Sequence, residues 1–253
     1  MAEDQVILTS DAERFIADFK KDPENREWLD RKLKAFDKWR TVFSTKNIDR
    51  LSEDDIKRFL SSKENQSWDG IQRQSSIYQD IGKLRETLRY VTNEINEASM
   101  EDIRKRLNDV LQPDGQYKIQ GLSRAVITAV MHICDERNRI GVWNKKVDDA
   151  FEKLGLDASE PSGSIGDRYL AYNKLLGDLG EKYGLSLYQV DMLVHKIATE
   201  YTPAVGSTQI SRSLNITALL SEKKQIIFYG PPGTGKTFEA QRLSVEFLTG
   251  RSV

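Results

Sequence analysis

The stretch Gly121-Leu122-Ser123-Arg124-Ala125-Val126-Ile127-Thr128-Ala129-Val130-Met131-His132-Ile133 holds the pattern that governs most of the chain. Leu122, Ala125, Val126, Ala129, Val130 and Ile133 recur at spacings of three and four, which places them on one face of a helix. The same spacing returns in Val147, Ala150, Phe151 and Leu154, and again in Leu187, Val190, Leu193, Val194 and Ile197. Helix-start signals precede such stretches. Ser10-x-x-Glu13, Ser52-x-x-Asp55, Ser99-x-x-Asp102 and Ser186-x-x-Gln189 are capping boxes or near relatives, in which side chains occupy the backbone N–H groups that a first turn leaves unpaired. Asp22-Pro23 starts another helix, with proline at its first position, and Trp28, Leu29, Leu33, Phe36 and Trp39 are its expected buried anchors. Gly155 and Gly184 stand where helices are expected to stop. Asp157 to Gly166 reads as a loop rich in proline, glycine and serine. A lone amphipathic helix has nowhere to bury its apolar stripe, so residues 1–201 are expected to form one mainly α domain.

Composition narrows the function classes. The chain has 253 residues, a net charge of -1, 38% hydrophobic and 30% charged residues. That is enough apolar material for a core, and it gives no global bias toward nucleic acid or an anionic membrane. Cys134 is the single cysteine, which excludes an internal disulfide framework and suits a reducing cytoplasm. No run of 18 apolar residues spans a membrane, and Met1-Ala2-Glu3-Asp4 lacks the basic, then apolar, start of a signal peptide. With two histidines and one cysteine, a metal site built from those residues is not expected.

The character changes near the C-terminus. Residues 202–213 are a polar linker, and residues 214–253 read as the opening of an α/β nucleotide-binding domain. Gln225-Ile226-Ile227-Phe228-Tyr229 is a short buried-strand pattern, and Lys236 onward is helical in pattern. Between them lies Gly230-Pro231-Pro232-Gly233-Thr234-Gly235-Lys236-Thr237, a complete Gly-x4-Gly-Lys-Thr phosphate loop. Its glycines let the backbone approach phosphates with no Cβ in the way. Its N–H groups and the following helix N-terminus cradle the anionic oxygens. Lys236 is expected to reach the β- and γ-phosphates of ATP or GTP, and the Thr237 hydroxyl to hold Mg²⁺. Only sixteen residues follow Thr237, so the acidic residue on a later strand that hydrolysis needs is not expected in this chain, and NTP hydrolysis is not expected of it alone.

Tyr229 to Phe238 resembles the AAA+ loop of the McrB-like proteins, the NTP-driven subunits of modification-dependent (type IV, McrBC-type) restriction systems. Trp68-Asp69-Gly70-Ile71-Gln72-Arg73, Gly121 to Ala129, Gly141-Val142-Trp143-Asn144, Leu154-Gly155-Leu156 and Leu187 to Asp191 resemble the N-terminal segment of a subset of that family. The resemblance implies an N-terminal domain that reads DNA, often modified DNA. It also implies a ring homo-oligomer of AAA+ domains driven by GTP or ATP, and a separate nuclease subunit. The family's Walker B, sensor and arginine-finger residues have no counterpart in this sequence. Two other readings remain open: a remodelling ATPase whose helical domain grips a protein, and a fragment without function.

Ile119-Gln120-Gly121-Leu122-Ser123-Arg124-Ala125 resembles a helix-hairpin-helix hairpin, with Ser123 where the second glycine usually stands. Such a hairpin offers backbone N–H groups to a DNA phosphate. Residues 118–146 hold six basic side chains against two acidic ones, a local +4, so Gly121, Ser123, Arg124, Lys145 and Lys146 are the candidate DNA contacts. The stretch is also similar to helix-hairpin-helix DNA glycosylases, which implies a catalytic aspartate where Asn144 stands and, in lyase-type members, a lysine near Ala125. Neither residue performs that chemistry, so the expected role is binding. The alternative for Gly121 to Ile133 is a core helix with incidental surface charge. Trp68 and Trp143 are either base-stacking residues or core anchors. Arg73, Lys83, Arg85 and Arg89 either track phosphates or form a solvated face.

Overall fold

The computed structural model describes residues 6–61, 77, 80–156, 163–203, 241 and 244. Within them the protein is mainly helical, and no strand is formed. The expected strand, phosphate loop and following helix lie outside the described residues. The helices are α1 (Ser10–Lys21), α2 (Pro23–Phe43), α3 (Glu53–Phe59), α4 (Ile81–Thr92), α5 (Met100–Leu111), α6 (Arg124–Cys134), α7 (Lys145–Leu154), α8 (Ile165–Tyr183) and α9 (Leu187–Glu200), with a 3₁₀ turn at Ile48–Arg50.

Caps set most of the boundaries. Ser52–Asp55, Ser99–Asp102 and Ser186–Gln189 form reciprocal capping boxes. Asp22 caps α2 through the Glu24 N–H, with Pro23 in the first turn. The expectation for Ser10–Glu13 is corrected. Thr9 is the cap of α1, accepting from the Ala12 N–H at 3.3 Å, and the Glu13 carboxylate pairs with Lys182 of α8 at 2.9 Å. A box that the loop-like composition of 157–166 concealed, Ser164–Asp167, opens α8. Gly155 and Gly184 end α7 and α8 in the left-handed region, with φ of 70° and 61°. The Leu156 N–H returns to the Phe151 carbonyl at 2.8 Å, and the Leu185 N–H to that of Gly180 at 2.8 Å, which satisfies carbonyls the helix ends would otherwise strand.

Two apolar cores share these helices. The larger gathers Phe36, Trp39 and Phe43 of α2 with α3, α4, α5, α6 and the segment Ile140–Trp143. Trp39, Phe43 and Phe59 meet edge to face or stacked, with centroids 4.9 to 6.0 Å apart. The smaller gathers Ala12, Ile16 and Phe19 of α1 with α7, α9 and the C-terminal half of α8. Helix α8 belongs to both: Tyr169 enters the larger core, and Leu176 and Leu179 enter the smaller. Helix α2 bridges them too, because Trp28 and Leu29 pack on the smaller core. Helix α6 departs from its one-faced pattern. Every residue from Val126 to Ile133 is buried, including Thr128 and His132, so α6 is a central helix surrounded by neighbours. Where α5 crosses α8, Gly166 is required: a Cβ there would overlap the Arg104 carbonyl oxygen.

Candidate nucleic-acid interface

The turn before α6 takes the shape its sequence calls for. Gly121 has a φ of 84°, a region L side chains rarely adopt, and the Leu122 N–H closes the turn on the Ile119 carbonyl at 3.3 Å. Ser123 is the N-cap of α6, but its hydroxyl makes no bond to the first turn. The backbone N–H groups of Arg124 and Ala125 have no hydrogen-bond partner among the described residues. The first helix of the expected hairpin is not adjacent, however. Helix α5 ends at Leu111, and Pro113, which has no N–H to donate, lies in the loop that follows, so twelve residues separate the two helices rather than a compact turn.

The segment after α6 brings the start of α7 beside the start of α6. Asn173 of α8 accepts from the Gly141 N–H at 2.7 Å and donates to the Arg139 carbonyl at 2.9 Å. The Tyr169 hydroxyl donates to the Gly141 carbonyl at 3.0 Å, and the Trp143 N–H donates to the Thr128 hydroxyl at 2.9 Å. His132 Nδ1 lies 2.6 Å from the Ile140 carbonyl oxygen. This buried segment therefore has much of its backbone polarity satisfied by side chains. Asn144 then caps α7, its side-chain oxygen accepting from the Val147 N–H at 3.1 Å. Arg124 joins the two helix starts: its guanidinium is ion-paired with Asp148 of α7 and lies 4.1 Å from the Trp143 ring centroid. Trp143 is 2 % exposed and donates its indole N–H to Asp148 at 3.1 Å, so it is a core anchor and not a base-stacking surface.

These contacts reapportion the local charge. Arg124 is paired with Asp148, Arg137 with Glu97, and Arg139 with the fully buried carboxylate of Asp135. Arg139 also donates to the carbonyls of Ala98 at 2.7 Å and Ile95 at 2.8 Å, which ties the segment after α6 to the turn after α4. Lys118 donates to the Leu111 carbonyl at 2.7 Å and so caps α5. Of the six basic residues in 118–146, Lys145 and Lys146 alone have no hydrogen-bond or ion-pair partner among the described residues; Lys145 is exposed and Lys146 half-buried. On α4, Arg85 donates to the Leu51 carbonyl at 2.8 Å and Arg89 pairs with Asp49, so both serve the fold.

The remaining titratable candidates are internal. Burial lowers the pKa of His132 to about 4, so its ring is neutral near pH 7. Its Nε2 has no hydrogen-bond partner, and the ring packs edge to face with Phe36 and Tyr188. Burial raises the Cys134 thiol to about 12, which makes it a poor nucleophile. Among the described residues no group of three metal-ligating side chains converges, and no helix is long and apolar enough to cross a membrane. Trp68, Arg73 and the loop residues Gly230, Pro231, Pro232, Gly233, Thr234, Gly235, Lys236 and Thr237 lie outside the described residues. No protein-family model, curated protein or solved structure matches the chain.

Proposed function

We propose that this chain is the DNA-recognition and nucleotide-binding portion of a McrB-like restriction NTPase. In this reading the paired starts of α6 and α7 contact the DNA backbone, and the Gly230–Thr237 loop takes ATP or GTP with Mg²⁺. The observation that carries the DNA contact is the Lys145–Lys146 pair. Each neighbouring arginine is committed to a carboxylate, whereas these two ammonium groups stand unpaired at the first turn of α7. Cations at a helix start are disfavoured by the helix dipole, and a phosphate relieves both the repulsion and the missing partners. The nucleotide assignment rests on the loop sequence, whose glycines, Lys236 and Thr237 are a donor set suited to a Mg²⁺-bound triphosphate. A ring of such chains and a separate nuclease subunit complete the reading.

Fluorescence anisotropy of the full chain with short duplexes, with and without base methylation, tests the DNA contact across roughly 50 to 200 mM salt. Affinity is expected to fall steeply with salt, and Lys145→Ala to lower the salt slope by roughly 1. Absence of binding to every duplex at low salt would sink the reading.

A further inference from the structure

Between α2, α9 and the first turn of α7 lies a cleft lined by Trp28, Lys32, Asn144, Lys146, Asp191 and His195, with about 20 Å³ of free interior. That space admits one water molecule or one ligand oxygen. A larger ligand therefore enters by a single small group and keeps the remainder outside. Lys32 forms the floor. Its side chain is 2 % exposed and is ion-paired with Asp191. Burial raises the Asp191 pKa, but the neighbouring groups together, Lys32 foremost among them, hold the carboxyl below its ordinary value. Lys32 also donates to the Tyr188 carbonyl at 3.5 Å. The same ammonium lies 5.5 Å from the Phe36 ring centroid, so an ion pair, a carbonyl and an aromatic face surround it. A ligand atom entering the cleft meets this ammonium at its floor, and an acceptor is favoured there over a donor.

The rest of the lining points the same way. Asn144 uses its side-chain oxygen to cap α7, which leaves its amide N–H₂ as the free group. Lys146 adds an unpaired ammonium, while the Asp191 carboxylate is committed to Lys32. Donors exceed acceptors, and Lys32, Lys146 and Asp191 together carry one formal positive charge. Trp28 and His195 form a wall, edge to face with centroids 5.7 Å apart. The complementary ligand presents acceptor oxygens and a single negative charge.

We infer that this cleft is a phosphate-binding site, taking one non-bridging oxygen of a phosphate group between Lys32, Asn144 and Lys146. A DNA backbone phosphodiester matches its single charge, and that source rests on the DNA-recognition reading above; a free phosphate is the other source. Asp191 positions the Lys32 ammonium, and the aromatic wall faces whatever the phosphate carries. Asn144→Asp isolates the site, because aspartate caps a helix as well as asparagine does while placing a negative charge and no donor in the cleft. Lys146→Gln removes one cation from the half-buried rim. Both variants are expected to melt close to the parent.

The experiment titrates the full chain with inorganic phosphate against chloride at constant ionic strength, following the His195 ring resonances, and then repeats the DNA salt series. Saturable phosphate shifts that vanish in both variants, with a DNA salt slope lowered by roughly 1 in Asn144→Asp, support a backbone phosphate. The same phosphate result with DNA binding absent, or present with an unaltered slope, supports the site with free phosphate as its source. If phosphate gives no saturable shift while DNA binds with an unaltered slope in Asn144→Asp, the cleft is overturned and the DNA reading stands.

Discussion

In the smaller core, α7 and α9 bury Val147, Ala150, Phe151 and Leu154 with Val190, Leu193 and Ile197, and the chain closes its own helix ends. Asn144 and Gly155 bound α7, and Ser186 with Gln189 opens α9. In the larger core the decisive contacts span long stretches of sequence. Arg139 reaches carbonyls more than forty residues earlier, and Asn173 and Tyr169 reach back to Gly141 from α8. One region is an apolar seam with locally closed helix ends, and its Glu13–Lys182 pair lies at the exposed rim. The other depends on buried polar side chains that have no alternative partners once the fold is disturbed, so it is the more sensitive to charge and to the loss of single groups.

Acid tests this contrast most strongly. His132 titrates near 6.5 when unfolded and near 4 in the fold, so the unfolded chain takes up the proton first. Stability is complete above about pH 6.5, declines as pH falls through that window, and below about pH 4 has lost about 3 kcal/mol from this residue. Urea unfolding from pH 7 to 4 of the parent and of His132→Gln should give curves that diverge, with the parent losing more; parallel curves would remove His132 from the account. Next in size is Asn173→Ala, which strands the Gly141 N–H and the Arg139 carbonyl and is expected to cost about 2–3 kcal/mol by urea midpoint. A cost near zero would mean that the buried segment finds substitute partners. The smallest effect belongs to the locally closed region. Gly155→Ala forces a Cβ into the left-handed region at the end of α7, and a loss of about 1 kcal/mol should appear as a lowered melting temperature.

The same contrast explains what was legible beforehand. Caps and stops are encoded within four residues, so Ser52, Ser99, Ser186, Asp22, Gly155 and Gly184 announced their helices. Ser10–Glu13 fitted the local pattern equally well, yet Lys182, 169 residues away, took the Glu13 carboxylate and left the capping to Thr9. Periodicity placed α6 but showed only one of its faces, because a helix enclosed by neighbours needs no polar side. The glycine turn before α6 and the two lysines at α7 were readable, but the hairpin's first helix, expected beside that turn, ends twelve residues before α6. The local charge was not: Glu97 and Asp148 lie outside residues 118–146, and they neutralise Arg137 and Arg124. Lys32 carried no signal at all, since its partner Asp191 is 159 residues distant.

Helix α8 has a consequence for motion. It runs nineteen residues, with Tyr169 seated in one core and Leu176 and Leu179 in the other. Neither core can open while the other keeps its half of the helix in place. Backbone amides near Asn173 should therefore exchange with solvent deuterium only when the whole domain opens, whereas the ends of the shorter, peripheral α1 exchange by fraying.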